Sequence, residues 1–136
     1  MGKKLSIIAP SFEWIFENFE VANPEYMLEM YDKYHGVSYI LHPKTENSEY
    51  ALYETSSEDN TIEVRIIKHP IQEFIQSLGR PFISTSANFA GESNAKVISD
   101  IDTKLQEQVD YVVDGHEVFG KPSMLIFVDN GKVIER

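Results

Sequence analysis

Apolar and polar positions change period several times along the chain, and each change predicts an element. Leu5 to Ala9, LSIIA, is a short apolar run closed by Pro10, which suits a buried strand. Ser11 then stands as an N-cap before Phe12, Ile15, Phe16 and Phe19, an apolar stripe at helical spacing. A second helix is predicted with Asn23 as its cap, Pro24 in its first turn and Glu25 at its positive end. Met27, Leu28, Tyr31 and Tyr34 form its apolar positions and Gly36 stops it. VSYILHP, residues 37–43, reads as a strand.

Residues 43–60 are polar and acidic, with a short strand candidate around Tyr50 to Tyr53 in a surface loop or hairpin. TIEVRII (61–67) alternates and is rich in β-branched residues, as a strand requires. HPIQEFIQSLG (69–79) is a helix with Pro70 near its start and Gly79 at its end, and RPFISTS (80–86) is the next strand. Within AKVISDIDTKLQEQV (95–109) a helix starts at Ser99 or Asp102, DYVVD (110–114) is a strand, and SMLIFVDNGKVIER (123–136) closes as a hairpin turned at Asn130-Gly131. Strands alternating with helices, with a hairpin at the end, predict an α/β or α+β domain built on a mixed sheet.

Composition narrows the picture. At 136 residues, with 42% hydrophobic and 12% aromatic content, the chain is expected to form a single domain, residues 1–136, with an ordinary core. No run approaches the roughly 18 apolar residues of a membrane span, and the first residues hold too short an apolar stretch for a signal peptide. A soluble, cytoplasmic protein without membrane contact is expected. The absence of cysteine excludes disulfides, thiol catalysis and thiolate metal sites. His35, His42, His69 and His116 have no ligand spacing, so a protein-built metal site is not expected. A net charge of −10, from 22 acidic and 12 basic residues, makes the chain as a whole a poor binder of nucleic acid and leaves only a local basic cleft open to that role.

Candidate chemistry is sparse. Neither a P-loop, nor a dinucleotide glycine fingerprint, nor a nucleophile elbow occurs. The stretch RPFISTSANFAGES (80–93) crowds small hydroxylated residues at the end of a strand, where α/β sheets bind ligands and where ordinary hydrogen-bonded loops also lie. Ser86 and Asn88, two apart, share a side if extended, and Gly91 permits a close turn. Arg65 sits inside an apolar strand, and a guanidinium there needs an anionic partner. Alternation sets Thr61, Glu63, Arg65 and Ile67 on one face, so a solvated face with Arg65 paired to Glu63 or to a neighbouring strand is the other reading. His69 has a capping or packing role, and Ser123, after Pro122, suits a turn hydroxyl.

The order of the pieces adds to this. VRIIKHP (64–70), LGRPFISTSANFAGES (78–93), DYVVDGHEVFGKPSMLIF (110–127) and the terminal VIER (133–136) together resemble the YrdC-like family, the threonylcarbamoyl-AMP synthases. KKLSIIAPSFEWI and YHGVSYIL extend the resemblance upstream, so that it covers essentially the whole chain. It implies a twisted mixed β-sheet with flanking helices around a concave cleft. It also implies conversion of ATP, bicarbonate and L-threonine to threonylcarbamoyl-AMP and pyrophosphate, the step that feeds threonylcarbamoyladenosine modification of tRNA. Carried over by motif, Ser86 and Asn88 would hold the nucleotide phosphates of ATP with Mg²⁺, helped by Thr61, Thr85 and Ser93. Arg65 would be the catalytic residue and face the threonine carboxylate or carbamate, Ser123 would contact threonine, and Arg136 would reach the ATP.

Two features depart from the family pattern. The family's Pro-Thr-Glu-Thr-x-Tyr-Gly-Leu and Lys-x-Arg motifs have no counterpart in this sequence, and its PSTIVD is PSMLIF here, with Met124 for a hydroxyl and Phe127 for an acid. The resemblance is thus to a domain shortened at its N-terminal side. Such a domain would be a piece of a longer synthase, one half of a split enzyme whose other chain supplies the missing motifs, or a catalytically inactive module that binds nucleotide or RNA, with tRNA or double-stranded RNA disfavoured by the charge. Leu5, Ile7, Ile8 and the Phe12, Ile15, Phe16, Phe19 stripe are expected to be left bare, which predicts a homodimer or a partner chain.

Overall fold

The computed structural model describes residues 6–44, 60–89 and 91–135. The chain runs β1 (Ser6–Ile8), α1 (Phe12–Asn18), β2 (Phe19–Glu20), α2 (Pro24–Lys33), β3 (Val37–Pro43), β4 (Ile62–Arg65), α3 (Ile71–Leu78) and β5 (Phe82–Ser84). A 3₁₀ turn at Ile98–Asp100, α4 (Thr103–Gln106), β6 (Met124–Phe127) and β7 (Lys132–Ile134) complete it. The strands form one mixed sheet in the order β5-β1-β4-β3-β6-β7, with β2 paired to β3 outside that path. β1 runs parallel to β4 and β3 parallel to β6, while the other pairs are antiparallel. This is the α/β arrangement with flanking helices that the alternating pattern predicts.

Local chemistry fixes the helices. The Ser11 side chain accepts from Trp14 N at 3.1 Å and Asn23 Oδ1 accepts from Tyr26 N at 3.0 Å, so both expected caps form. α2 ends at Lys33 with Tyr34 as its cap, ahead of Gly36, because Tyr34 already turns to extended backbone. Gly79, at φ 62, closes α3 in the left-handed conformation glycine adopts without strain. His69 has the capping role its position implies: its Nδ1 accepts from Ile71 N at 3.2 Å.

One face of the sheet holds the core. Ile7 of β1, Ile62 and Val64 of β4, Tyr39 and Leu41 of β3 and Ile126 of β6 are buried against Ile15, Phe19, Met27 and Met30 of the α1–α2 segment. Burying each large apolar side chain contributes about 1.5–3 kcal/mol. Tyr39 is fully buried and its hydroxyl donates to Met27 O at 2.7 Å, tying α2 to β3. Burial, followed by the nearby Tyr31 and Asp32, pushes the Tyr39 phenol far above its usual value. A second tie fixes the start of α3: Gln72 Nε2 donates to Ala9 O (2.9 Å) and Pro10 O (3.1 Å), while its Oε1 accepts from Ile67 N (3.1 Å).

Several expectations need correction. DYVVD is not a strand: residues 110–114 join no ladder, and Tyr111 and Val113 are 88% and 85% exposed. The place beside β3 is taken by β6, and without a neighbour the β-branched residues have nothing to pair with. The expected helix in 95–109 breaks into the 3₁₀ turn and the one-turn α4, whose cap is Asp102, with its carboxylate accepting from Lys104 N. The closing hairpin has Phe127 and Lys132 as its last pair, so residues 128–131 form a four-residue loop in which Gly131 takes φ 67. Ile7, Ile15 and Phe19, expected bare, are buried, because the helices α1 and α2 fold back over their face of the sheet. The exposed apolar side chains lie instead on α3 and β5, at Phe74 and Ile83, and along 109–119. The candidate strand Tyr50 to Tyr53, together with Leu5, lies outside the described residues.

Candidate functional site

The opposite face of β4 builds the site. Period two puts Glu63 and Arg65 on the side away from Ile62 and Val64. The register sets Ser6 opposite both Glu63 and Ser84. Ser6 donates to Ser84 O at 3.1 Å, so β1 and β5 are joined by a side chain as well as by the ladder. Ser123, immediately before β6, arrives from the other side of the sheet, since β6 pairs with β3 from Met124 onward.

These residues surround a cavity of about 260 Å³ lined by Ser6, Glu63, Arg65, Ser84, Thr85, Ser86, Asn94, Pro122 and Ser123. Arg65 is half-buried in its wall. One terminal nitrogen, Nη2, donates to Ser84 Oγ at 2.7 Å; Nη1 reaches Ser123 Oγ at 3.4 Å, a longer and weaker contact. The guanidinium is therefore fixed between two chain segments, one 19 and the other 58 residues further along the sequence. Both of these contacts are to hydroxyls. Glu63, 9% exposed, brings a carboxylate to the same cavity.

The sequence candidates divide accordingly. Arg65, Thr85, Ser86 and Ser123 come together around the cavity. Asn88 does not line it: its Nδ2 donates to Glu92 O at 2.7 Å and its backbone N to Ser86 O at 3.0 Å, so it shapes the loop that carries Ser86. Glu92 closes the same loop by accepting from Phe89 N at 2.8 Å. Ser93 is exposed beside that loop, and Thr61 stands half-buried before β4, neither being a lining residue. Arg136 lies outside the described residues. Arg65 is half-buried, with Ser84 and Ser123 among its hydrogen-bond partners, and its neighbour Glu63 is buried.

Five lining residues, Ser6, Glu63, Ser84, Asn94 and Pro122, were not among the sequence candidates. Glu63 was readable, because it shares a face with Arg65 by simple alternation. Ser84 lies in the polar run already noted, and Ser6 follows only once β1 and β5 are known to be neighbours. Asn94 carries no local signal at all. A second cavity of about 300 Å³ shares Ser86 and Asn94 with the first and is walled by Val97, Ile98, Ile101, Val113 and Val118, with Lys96 and His116 also on its lining.

With this geometry in view, comparison with known proteins is informative. A family model, Sua5/YciO/YrdC, described as "Telomere recombination", matches residues 1–136. The chain belongs to the Sua5/YciO/YrdC family. A family relative from Pseudoalteromonas translucida, named threonylcarbamoyl-AMP synthase, is 37% identical over 78 residues, covering 54% of this chain and 41% of that protein. Another of that name, from Stenotrophomonas maltophilia, is 39% identical over 61 residues, 44% of this chain and 33% of the relative. The matched stretches thus span about two fifths or less of these relatives. The crystal structure of E. coli YciO superposes with a TM-score of 0.73 at 22% identity, covering 97% of this chain and 64% of YciO, a likeness of fold. Among the described residues no helix is long and apolar enough to cross a membrane.

Proposed function

We propose that the cavity around Arg65 is the amino-acid end, and the cavity beyond Ser86 the nucleotide end, of a site for threonylcarbamoyl-AMP synthesis. The observation that carries this is the fixed guanidinium of Arg65, set between the hydroxyls of Ser84 and Ser123 in a cavity that shares Ser86 and Asn94 with its neighbour. Arg65 offers the planar, permanently charged fork that suits a carboxylate, and Ser123 offers a hydroxyl to the same ligand. Ser86 stands where the two cavities meet, with Thr85 beside it on the first, suited to phosphate oxygens of ATP brought in with Mg²⁺. The aliphatic wall of the second cavity suits a purine ring. Asn88 acts indirectly, by holding the loop that presents Ser86.

The reaction needs no covalent enzyme intermediate. The threonine amine adds to the carbon of bicarbonate with loss of water, the resulting carbamate oxygen attacks the α-phosphorus of ATP, and pyrophosphate departs. Its products are threonylcarbamoyl-AMP, pyrophosphate and water, the adenylate then serving tRNA modification. Holding three substrates together and offsetting their charge is what such a step demands of a protein. The names of the relatives support this reading.

A second reading, a binding module without turnover or one chain of a split enzyme, is favoured by Met124 and Phe127, which stand where the family's PSTIVD has a hydroxyl and an acid. Calorimetric titration with ATP–Mg²⁺, followed by assay of pyrophosphate release with L-threonine and bicarbonate, separates the two. The synthase reading expects ATP binding that weakens about tenfold in a Ser86→Ala, Asn94→Ala variant, together with threonine-dependent pyrophosphate release. Binding without release favours the module. No heat at millimolar ATP would remove the nucleotide site from this chain.

A further inference from the structure

We propose that Ser38, a buried serine in the centre of the sheet, is a positioning residue for Arg65: its hydroxyl accepts from the stem side of the guanidinium when a bound ligand draws the two terminal nitrogens toward itself. The proposal rests on the reading of Arg65 as a ligand-binding residue and adds to it a residue outside the cavity lining.

The register places Ser38. β3 and β4 pair Tyr39 with Val64, Ile40 with Glu63 and Leu41 with Ile62, so one step further along this antiparallel ladder sets Ser38 opposite Arg65. Tyr39 and Leu41 belong to the core on the other face, and period two then puts Ser38 and Ile40 on the face of Glu63 and Arg65. On its other side Ser38 is flanked by Leu125 of β6. Residues directly opposite on one face have Cβ atoms about 4.5–5.5 Å apart, which brings the Ser38 hydroxyl within reach of the Arg65 side chain.

Ser38 is 0% exposed, and among the described residues its Oγ has no hydrogen-bond partner. A buried hydroxyl in that state lowers stability, and packing alone would be served by an apolar residue, as at Ile40 two positions on. A local rule broken in this way, next to a functional side chain, points to a use for the hydroxyl. The printed contacts of Arg65 allow it one. Nη2 is held firmly by Ser84 at 2.7 Å, whereas Nη1 meets Ser123 only at 3.4 Å and gives way first. A ligand carboxylate that engages the terminal nitrogens turns the guanidinium about its stem. Ser38 Oγ, with two acceptor lone pairs, is then placed to accept from Nε–H, the donor nearest the β4 backbone, and to hold the plane of the fork in line with the ligand.

Titration calorimetry with L-threonine in the presence of ATP–Mg²⁺, with thermal melting alongside, tests this on wild type, Ser38→Ala, Arg65→Lys and the double variant. Ser38→Ala should bind L-threonine about tenfold more weakly, the size of one hydrogen bond to a charged group, while its Tm stays level or rises because an unmatched buried hydroxyl is gone. Lysine has a methylene where arginine has Nε–H, so adding Ser38→Ala to Arg65→Lys should weaken binding by less than about twofold further. Ser38→Cys, close in size and a weak acceptor, should repeat the loss and keeps the test open if the alanine variant folds poorly. Wild-type affinity in Ser38→Ala, or a loss of equal size with and without Arg65→Lys, would overturn the role of Ser38 while leaving Arg65 as the ligand's anchor. Failure of the wild type to bind L-threonine although it binds ATP–Mg²⁺ would overturn the amino-acid reading and this proposal with it.

Discussion

Replacing Arg65 by alanine removes a guanidinium held 2.7 Å from Ser84 Oγ and 3.4 Å from Ser123 Oγ. The effect on folding should be modest. These two hydroxyls lie on a cavity wall where water can satisfy them, the second contact is long, and a net hydrogen bond contributes about 0.5–1.5 kcal/mol. A loss of about 1 kcal/mol corresponds to a Tm shift of about 4 °C for a domain of this size. The effect on a bound carboxylate should be larger. A charge-assisted hydrogen bond contributes about 1.5–3 kcal/mol, and a two-pronged guanidinium–carboxylate pair belongs at the upper end. Taking about 3 kcal/mol gives a loss of roughly 150-fold in Kd for L-threonine. That is a lower bound, because Glu63, left without the neighbouring positive charge, repels the ligand carboxylate. Arg65→Lys keeps the charge and loses the fork, so it should fall between, at roughly a tenfold loss. Titration calorimetry of wild type, Arg65→Lys and Arg65→Ala, with thermal melting alongside, reads both quantities. An alanine variant that melts normally and binds L-threonine within about threefold of wild type, under half of one factor of ten in free energy, would refute the assignment of Arg65 to the ligand carboxylate.

Two further predictions concern the scaffold that holds the site. Gln72→Ala removes three hydrogen bonds that tie α3 to the ends of β1 and β4. It should cost about 2–3 kcal/mol in urea denaturation, and a loss below about 0.5 kcal/mol would show that the tie is dispensable. Tyr39→Phe removes the buried donor to Met27 O and should cost about 1–2 kcal/mol at neutral pH. The native phenol is raised, so only the unfolded chain ionises as pH climbs past about 10. The native state then binds more protons, and the stability Tyr39 supplies is complete below about pH 10 and declines above it. Urea midpoints from pH 8 to 11 should fall more steeply in wild type than in Tyr39→Phe; parallel curves would contradict the burial argument.

Much of the scaffold was readable from local signals. Ser11 and Asn23 cap their helices because a short polar side chain there meets an otherwise unpaired amide, and VSYILHP forms β3 over the residues its apolar run marks. Where local preference had no tertiary partner it failed: Tyr111, Val112 and Val113 have strand chemistry but no open ladder beside them. The site was half legible. Arg65 was conspicuous as a charge in an apolar strand, and the hydroxyls of residues 84–86 as a dense polar run. Asn88, taken with them as a phosphate ligand, instead ties its own loop, since its side chain is two residues past the cavity and finds Glu92 O within reach. Ser6 and Asn94 depend on which segments the sheet order brings together, and β5 reaching β1 across α3 is a long-range fact that no short window contains.

The most direct test of the central claim is a crystal structure of the protein with L-threonine and a non-hydrolysable ATP analogue. The account predicts the threonine carboxylate against Arg65 and Ser123 and the analogue's phosphates beside Ser86. Threonine bound away from Arg65, for example in the cavity lined by Tyr34, Gly36 and Met124, would contradict it.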